Sequence, residues 1–100
     1  MAFEVNFSAE AEDDLFAIYV YVAEASGIER ADGFDRRLRA ACLKLANFPN
    51  RGTPQEEMAA GLRSIAFERR ATIYYRVGEA VEIVRVIYAG RDAQRAFGSE

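Results

Sequence analysis

The sequence predicts an α+β fold whose elements follow in the order β-α-α-β-β-β. Two observations predict it. Two stretches with apolar residues at helical spacing come after a short alternating segment, and three β-type runs follow one another in the last third of the chain. A helical hairpin between an edge strand and a three-stranded meander packs on one face of a small antiparallel sheet. The other face is expected to stay open for a partner or substrate.

The first predicted strand covers residues 3–7, where apolar and polar side chains alternate. Ser8 is a helix-capping residue, and a helix is predicted over about residues 9–25 with carboxylates in its first turn. Its apolar surface is unusually wide, because Phe16 and Tyr21 lie outside the main apolar stripe. Apolar side chains therefore cover most of the surface of this helix.

The second predicted helix runs from about Glu29 to Ala46, with apolar residues at alternating spacings of three and four. Residues 49–61 hold both prolines among polar side chains and are predicted to form the one substantial loop. Three strands and one closing helical turn complete the chain. The strands are expected at residues 61–67, 70–77 and 81–89, and the closing turn at residues 91–97.

The length of 100 residues and the 51% of hydrophobic residues are typical of one domain, residues 1–100, with a single modest core. No segment has the apolar run of a signal peptide or the roughly 20 apolar residues of a membrane helix. A cytoplasmic protein without membrane contact is therefore expected. The formal net charge of -3 argues against sequence-specific nucleic-acid binding, because domains that find nucleic acid usually have a basic balance.

The residue types exclude several kinds of active site. The chain has no histidine and a single cysteine, Cys42, which removes Ser-His-Asp and Cys-His arrangements as well as histidine metal clusters. Glu12, Asp13 and Asp14 are adjacent on a helix and point in different directions, so helix-start electrostatics explains them better than a metal site does. No catalytic residue, metal or cofactor is predicted from these residues.

Arginines mark the predicted sheet as the candidate functional region. Five of them cross or follow the three late strands and give the sheet positive charge within a protein whose net charge is negative. They are Arg63, Arg70, Arg76, Arg85 and Arg91.

Two of these arginines have alternative interpretations. Arg85 interrupts an apolar strand, so its burial would need a carboxylate or carbonyl partner, such as Glu82 or a helix carboxylate. Arg91 follows the last strand, where its guanidinium can bind a partner or can simply cap the strand end in contact with solvent. Both interpretations of Arg91 remain open at this point.

Alternation along the strands leaves two arrangements of the sheet open. Arg63, Ile65 and Phe67 should share one face of their strand. If that face is open, it is lined with Ile65, Phe67 and Tyr74 rather than with charge, which suits a protein partner better than RNA. In the alternative arrangement, Ile65 and Phe67 face the core.

Five motifs and the second predicted helix, with Ala31, Phe34, Leu38 and Leu45, follow in an order that spans nearly the whole chain. The motifs are FEVNFSAEAEDDLFAIYVYVAE, FPNRG, GLRS, IYYRV and VEIVRVIYAGRD. Together they resemble the ParE branch of the RelE/ParE toxins. The resemblance implies a toxin of a type II toxin-antitoxin system, held in a hetero-oligomer by a cognate ParD-like antitoxin that neutralises it. It also implies that the toxin arrests growth by binding and poisoning DNA gyrase.

The resemblance also bears on catalysis. In the RelE branch, basic residues on the open sheet face and a tyrosine after the last strand cleave messenger RNA on the ribosome. Arg63 and Arg91 match two of the basic positions of that pattern. Ile65 stands where it has another basic residue, Thr72 where it has an arginine, and Phe97 where it has the tyrosine.

A toxin that binds its target, without an active site of its own, is therefore predicted. The alternatives are a RelE-like mRNA interferase that uses the sheet arginines and a non-toxic remnant that only binds its antitoxin. The residues predicted to bind the target or the antitoxin are Arg63, Ile65, Phe67, Tyr74, Arg76, Arg85, Arg91 and Phe97.

Overall fold

The computed structural model describes residues 3–89, in which two helices pack on one side of a five-stranded sheet. The elements follow the predicted order, with one additional two-residue strand inside the predicted loop. The closing turn predicted at residues 91–97 lies outside the described residues. The elements are β1 (Val5–Phe7), α1 (Ala9–Ser26), α2 (Ile28–Lys44), β2 (Thr53–Pro54), β3 (Leu62–Phe67), β4 (Ala71–Val77) and β5 (Val81–Tyr88).

The sheet has the strand order β1-β5-β4-β3-β2. Strands β2 to β5 pair antiparallel, whereas β1 pairs with β5 in parallel, with Val5 opposite Val81 and Phe7 opposite Ile83. The predicted α+β fold is confirmed, but the sheet is mixed rather than wholly antiparallel. Alternation within a strand cannot reveal this difference, because strand direction depends on how the chain returns after both helices. With neighbours on both sides, β5 is a central strand, as its nearly continuous apolar run predicts.

Because β1 is short, side chains from the start of α1 bond to the remaining edge of β5. The Ser8 Oγ donates to the Val84 carbonyl oxygen at 2.9 Å and accepts the Ala11 N–H at 3.0 Å, which caps α1. Six residues further along, Asp14 Oδ2 accepts the Val86 N–H at 2.9 Å. These bonds anchor α1 directly to the edge of the sheet.

The two helices are joined by a single residue, Gly27, whose φ of +99° lies in a region that favours glycine. Its N–H donates to the Ala23 carbonyl oxygen at 2.8 Å, and its own carbonyl oxygen accepts the Ala31 N–H at 3.1 Å. The Tyr19 hydroxyl also donates to Asp32 Oδ1 at 2.6 Å across the hairpin. The geometry of the hairpin is thus fixed by backbone and side-chain hydrogen bonds.

The main core lies between the helices and the sheet. The apolar stripes predicted for both helices point into it, and the largest fully buried side chain there is Tyr75 of β4. Burial of such side chains is the main favourable contribution to folding. The residues that fill this core include Leu15, Ile18, Val22, Phe34, Leu38, Cys42, Ile73, Tyr75, Val81, Ile83 and Val86.

Cross-strand pairing decides which residues of β3 and β4 share a face. Ile65 lies opposite Ile73, and both Ile65 and Phe67 pack against the core under the helices. Ser64 and Tyr74 lie opposite each other on the other face. Of the two arrangements left open by alternation, the one in which Ile65 and Phe67 face the core is therefore found.

The sheet face away from the helices is partly covered. Leu62, Tyr74 and Ile87 form a second small buried cluster, against which Met58 and Ala59 pack. The expectation that this face is wholly open is wrong here, because the segment after β2 folds back over the sheet.

Candidate functional site

Arg63 is bound to the loop between α2 and β3. Its Nη1 donates to the carbonyl oxygens of Asn50 at 3.1 Å and Gly52 at 2.7 Å. A guanidinium that bonds to two backbone carbonyls holds them in place and satisfies their hydrogen-bonding capacity. The geometry gives Arg63 a structural role, and its predicted role in binding a target stays a prediction.

The Tyr75 hydroxyl holds the same loop from the core side. It donates to the Pro49 carbonyl oxygen at 2.8 Å and accepts the Gly52 N–H at 2.9 Å. A Cβ atom on Gly52 would lie 2.5 Å from the Tyr75 hydroxyl oxygen and 2.8 Å from the Ser64 carbonyl oxygen, so a side chain does not fit. The FPNRG motif is thus a turn closed from two sides, by Tyr75 and by Arg63.

Arg76 supports the next turn along the chain. Its Nε donates to the Ala60 carbonyl oxygen at 3.1 Å. In the same turn, the N–H of Gly61 lies 3.3 Å from the Glu56 carboxylate oxygens that accept it. Two of the predicted basic candidates, Arg63 and Arg76, therefore hold the loops that flank β3.

Arg85 and Asp14 form the ion pair with the least exposed side chains among residues 3–89. The pair is bidentate, with Nε to Oδ2 at 2.8 Å and Nη2 to Oδ1 at 2.9 Å, and the hydrogen bond to Asp14 raises the pKa of Arg85. The prediction that Arg85 needs a carboxylate or carbonyl partner is confirmed, and the carboxylate found is that of the helix residue Asp14. The explanation of Asp14 by helix-start electrostatics is wrong, because its carboxylate bonds to β5.

The remaining candidates do not form one surface. Ile65 and Phe67 are half-buried on the helix side of the sheet, whereas Tyr74 is buried on the opposite side, where burial raises the pKa of its hydroxyl. Arg91 and Phe97 lie outside the described residues. Ile65, Phe67 and Tyr74 therefore do not line one open face of the sheet.

An exposed apolar surface on α1 was not among the predicted site residues. Phe16 and Tyr21 are 70% and 59% exposed. Phe16 and Val20 stand four residues apart on the helix, as do Ala17 and Tyr21, so the members of each pair are neighbours. These four residues are called the α1 strip below. The unusually wide apolar surface of the first predicted helix indicated a partner-binding surface there, but it did not single out these residues.

A groove of about 250 Å³ adjoins the α1 strip, between α1 and the end of β5. Across its surface the rings of Tyr21 and Tyr88 lie 5.4 Å apart, centroid to centroid. Aromatic rings beside an apolar groove can receive an apolar side chain from another protein. The lining includes Ala17, Ile18, Tyr21, Val86, Ile87 and Tyr88.

Within residues 3–89, no group of three or more His, Cys, Asp or Glu residues is placed to hold a metal ion. In the same part of the chain, neither helix is both long and apolar enough to cross a membrane. Cys42 is fully buried, and burial raises the pKa of its thiol to about 12. The thiol therefore stays protonated and unreactive near neutral pH.

Residues 5–93 match the family model described as the ParE toxin of the type II toxin-antitoxin system parDE. The chain belongs to the ParE toxin family. This ParE family member is 35% identical over 93 residues to Toxin ParE1 of Caulobacter vibrioides, a match that covers 93% of this chain and 96% of that protein. The predicted resemblance to the ParE branch is confirmed, and the chain is a ParE toxin of a type II toxin-antitoxin system.

Two solved structures share the ParE fold seen here. The chromosomal ParDE toxin-antitoxin system from P. aeruginosa has a TM-score of 0.77 and 24% identity, covering 87% of this chain and 96% of that chain. The toxin-antitoxin complex RelBE2 from Mycobacterium tuberculosis has a TM-score of 0.59 and 25% identity, covering 88% of this chain and 99% of that chain. Both comparisons agree with two helices on one face of a small mixed sheet.

Proposed function

We propose that this ParE family member arrests growth in the cytoplasm by binding and poisoning DNA gyrase, with residues 1–100 acting as a single toxin domain. A ParD-like antitoxin neutralises it by forming a hetero-oligomer with it. Family membership carries the proposal, through the match over residues 5–93 and the 35% identity with Toxin ParE1. The structural relatives are a ParDE system and a RelBE2 toxin-antitoxin complex, which supports an antitoxin partner for this chain.

The α1 strip and its adjoining groove are the proposed antitoxin-binding surface. Exposed aromatic side chains beside a pocket are typical of the residues that contribute most to protein–protein affinity. Phe16 and Tyr21 supply such side chains on a helix anchored to the sheet by Ser8 and Asp14. A segment that covers the strip and the groove would belong to an interface of about 1,000 Å² or more.

The positions of the sheet arginines support binding rather than RNA cleavage. Cleavage requires groups that can move protons and stabilise a charged phosphate in the transition state. Arg63 and Arg76 instead bond to carbonyl oxygens of loops, and Arg85 is paired with Asp14. Ile65, which stands where the RelE pattern has a basic residue, packs under the helices.

The gyrase proposal is tested by supercoiling of relaxed plasmid with purified gyrase and increasing amounts of this protein. Inhibition of supercoiling, or linear DNA trapped in proportion to the toxin, is expected. A matched reaction with heat-unfolded protein controls for non-specific effects. Full supercoiling at a large molar excess of folded protein would contradict gyrase as the target.

The two alternatives are separated by further measurements. Messenger RNA incubated with ribosomes and the same preparation is expected to stay intact, whereas fragments that disappear with Arg91→Ala would favour the interferase. Expression without the antitoxin is expected to stop colony formation. Normal colonies would instead identify a non-toxic antitoxin-binding protein.

A further inference from the structure

The tip of the β3–β4 hairpin has an unfavourable backbone conformation. The Arg70 N–H donates to the Phe67 carbonyl oxygen at 2.9 Å, which closes a turn with Glu68 and Arg69 at its centre. Their φ angles are 51° and 60°. Turns with positive φ at both central positions usually contain Asn or Gly, and each other residue there costs about 1–2 kcal/mol. Glu68 and Arg69 thus place charged side chains at the tip, although their backbone conformation lowers the stability of the fold.

An ion pair fixes the tip against α2. Arg37 Nε lies 2.8 Å from Glu68 Oε2, and Arg37 Nη2 lies 3.0 Å from Glu68 Oε1. The hydrogen bond from Arg37 holds the pKa of Glu68 below its ordinary value. The Arg37 guanidinium also lies over the Phe34 ring, 5.7 Å from its centroid. The hairpin tip therefore has a defined position relative to the second helix.

A groove of about 530 Å³ lies between this tip and the two helices, and is called the hairpin-tip groove below. Arg30 of α2 and Arg70 of the hairpin both line it, and both are exposed. Within residues 3–89, neither guanidinium has a hydrogen bond or a salt bridge, although the charge of Arg70 helps to lower the pKa of the nearby Glu68. Val22 and Phe34, which are 7% and 4% exposed, form a small apolar base for the same groove. The groove thus combines two exposed cations from different elements with a small apolar base.

We propose that the hairpin-tip groove binds an acidic polypeptide segment. Two carboxylates of the segment pair with Arg30 and Arg70, and an apolar side chain between them packs on Val22 and Phe34. Guanidinium groups bind carboxylates through two parallel hydrogen bonds, which gives both affinity and orientation. The volume of the groove is also within the range of roughly 300–1,000 Å³ that is usual for binding sites.

The acidic groups around the same groove favour a peptide over nucleic acid. Glu29 and Glu68 line it together with the arginines, and the whole chain has a net charge of -3. A continuous phosphate backbone would approach these carboxylates, whereas a short peptide can place its own carboxylates only at the two arginines. The groove shares no lining residue with the groove beside the α1 strip, so this second site goes beyond the proposed antitoxin surface.

The test measures binding of a fluorescein-labelled peptide with an amidated C-terminus, Gly-Glu-Leu-Glu-Gly, to the purified full chain by fluorescence anisotropy at low salt. The comparison peptide has Gln in place of every Glu. Arg30→Gln combined with Arg70→Gln removes both cations of the groove. The charge-matched control combines Arg36→Gln with Arg51→Gln, two exposed arginines outside the groove lining. Circular dichroism verifies that both double variants are folded.

The groove variant is expected to bind the acidic peptide at least about tenfold more weakly than the wild type, whereas the control changes Kd less than about twofold. The Gln peptide should also bind at least about tenfold more weakly, and added salt should weaken binding of the acidic peptide. Equal affinity of the wild type and the groove variant would overturn the proposal. Tighter binding of a single-stranded oligonucleotide of the same charge would overturn the assignment to a peptide.

Discussion

One buried hydroxyl, that of Tyr75, organises the loop between α2 and β3. It serves as donor to the Pro49 carbonyl and as acceptor for the Gly52 N–H, while Arg63 bonds to the same loop from its exposed side. A buried polar atom that loses its partner costs more free energy than the bond itself contributes. The stability of the loop therefore depends on these few atoms.

Replacing Tyr75 with Phe is expected to lower the free energy of unfolding by about 2 kcal/mol, because the buried Gly52 N–H loses its acceptor. Urea unfolding followed by circular dichroism measures the change. The matched control is Tyr19→Phe, which removes a hydroxyl bonded to Asp32 at the exposed hairpin surface and should change stability much less. Equal effects of the two substitutions would contradict the buried-bond explanation.

Cys42 gives the folded protein a dependence on alkaline pH. Burial raises the pKa of the folded thiol from 9.0 to about 12, so the folded state keeps a proton that the unfolded state releases above pH 9.0. This contribution to stability is fully present below pH 9.0 and is lost as pH rises towards 12, by roughly 1.4 kcal/mol per pH unit.

The comparison is urea unfolding of the wild type and of Cys42→Ala, each at neutral pH and one unit above the ordinary thiol pKa. The stability of the wild type should fall relative to that of the variant. Iodoacetamide should label the folded thiol far more slowly than the unfolded one. Parallel pH dependences and rapid labelling of the folded protein would show that the thiol is accessible.

Sequence patterns marked Arg63, Arg76 and Arg85 as candidates but did not identify their partners. The burial of Arg85 predicted a carboxylate, yet naming Asp14 required knowing that α1 lies along the edge of β5 that β1 leaves uncovered. The partners of Arg63 are backbone carbonyls in a loop without periodicity. Such contacts join residues far apart in sequence, so no local spacing contains them.

At the scale of elements, the β3–β4 hairpin combines strong strand pairing with an unfavourable turn. Six residue pairs connect β3 with β4, whereas the turn between them has Glu68 and Arg69 at positive φ. Pairing between the strands outweighs the local preference of the turn residues. The hairpin can therefore be stabilised at its tip without any change in its strands.

Arg69→Gly is expected to raise the free energy of unfolding by about 1 kcal/mol, because glycine adopts positive φ without steric conflict. The denaturant midpoint measures it. Arg69→Ala is the control, since it removes the same charged side chain and keeps a Cβ in the unfavourable conformation. An equal gain from both substitutions would mean that the side chain, not the backbone, is the cause.

The helices were predicted from the sequence more accurately than the short strands β1 and β2. All four ends of the two helices were predicted to within two residues, because their apolar stripes repeat over several turns. The two-residue strand β2 was missed, since Thr53 and Pro54 are too few for an alternating pattern. Parallel pairing of β1 was also missed, because it depends on tertiary arrangement.

At the scale of the whole molecule, two surfaces with different chemistry stand out. The α1 strip is apolar and aromatic, whereas the hairpin-tip groove carries two exposed arginines. Family membership and fold could be predicted from ordered motifs spread over the chain, and both are confirmed. The positions of the two proposed binding surfaces could not be predicted in the same detail, because the exposure of a residue is decided by how the elements pack.

Replacing Phe16 and Tyr21 with Glu is expected to weaken antitoxin binding by at least about tenfold, because charged groups would be buried in an apolar interface. Calorimetric titration with the purified antitoxin measures it. The control replaces Phe48 and Leu43 with Glu, since they are 66% and 53% exposed, close to the 70% and 59% of the strip residues. Equal loss in both variants, or in neither, would place the antitoxin elsewhere.

The short β1 strand also affects how molecules of this protein meet one another. A free strand edge offers unpaired backbone groups to another chain and invites aggregation, above all when the strand is apolar. Ser8 and Asp14 occupy such groups on β5 beyond the reach of β1. If the start of α1 frays, this edge becomes a template for intermolecular pairing. The solubility of the protein therefore depends on the first two turns of one helix as well as on its surface charge.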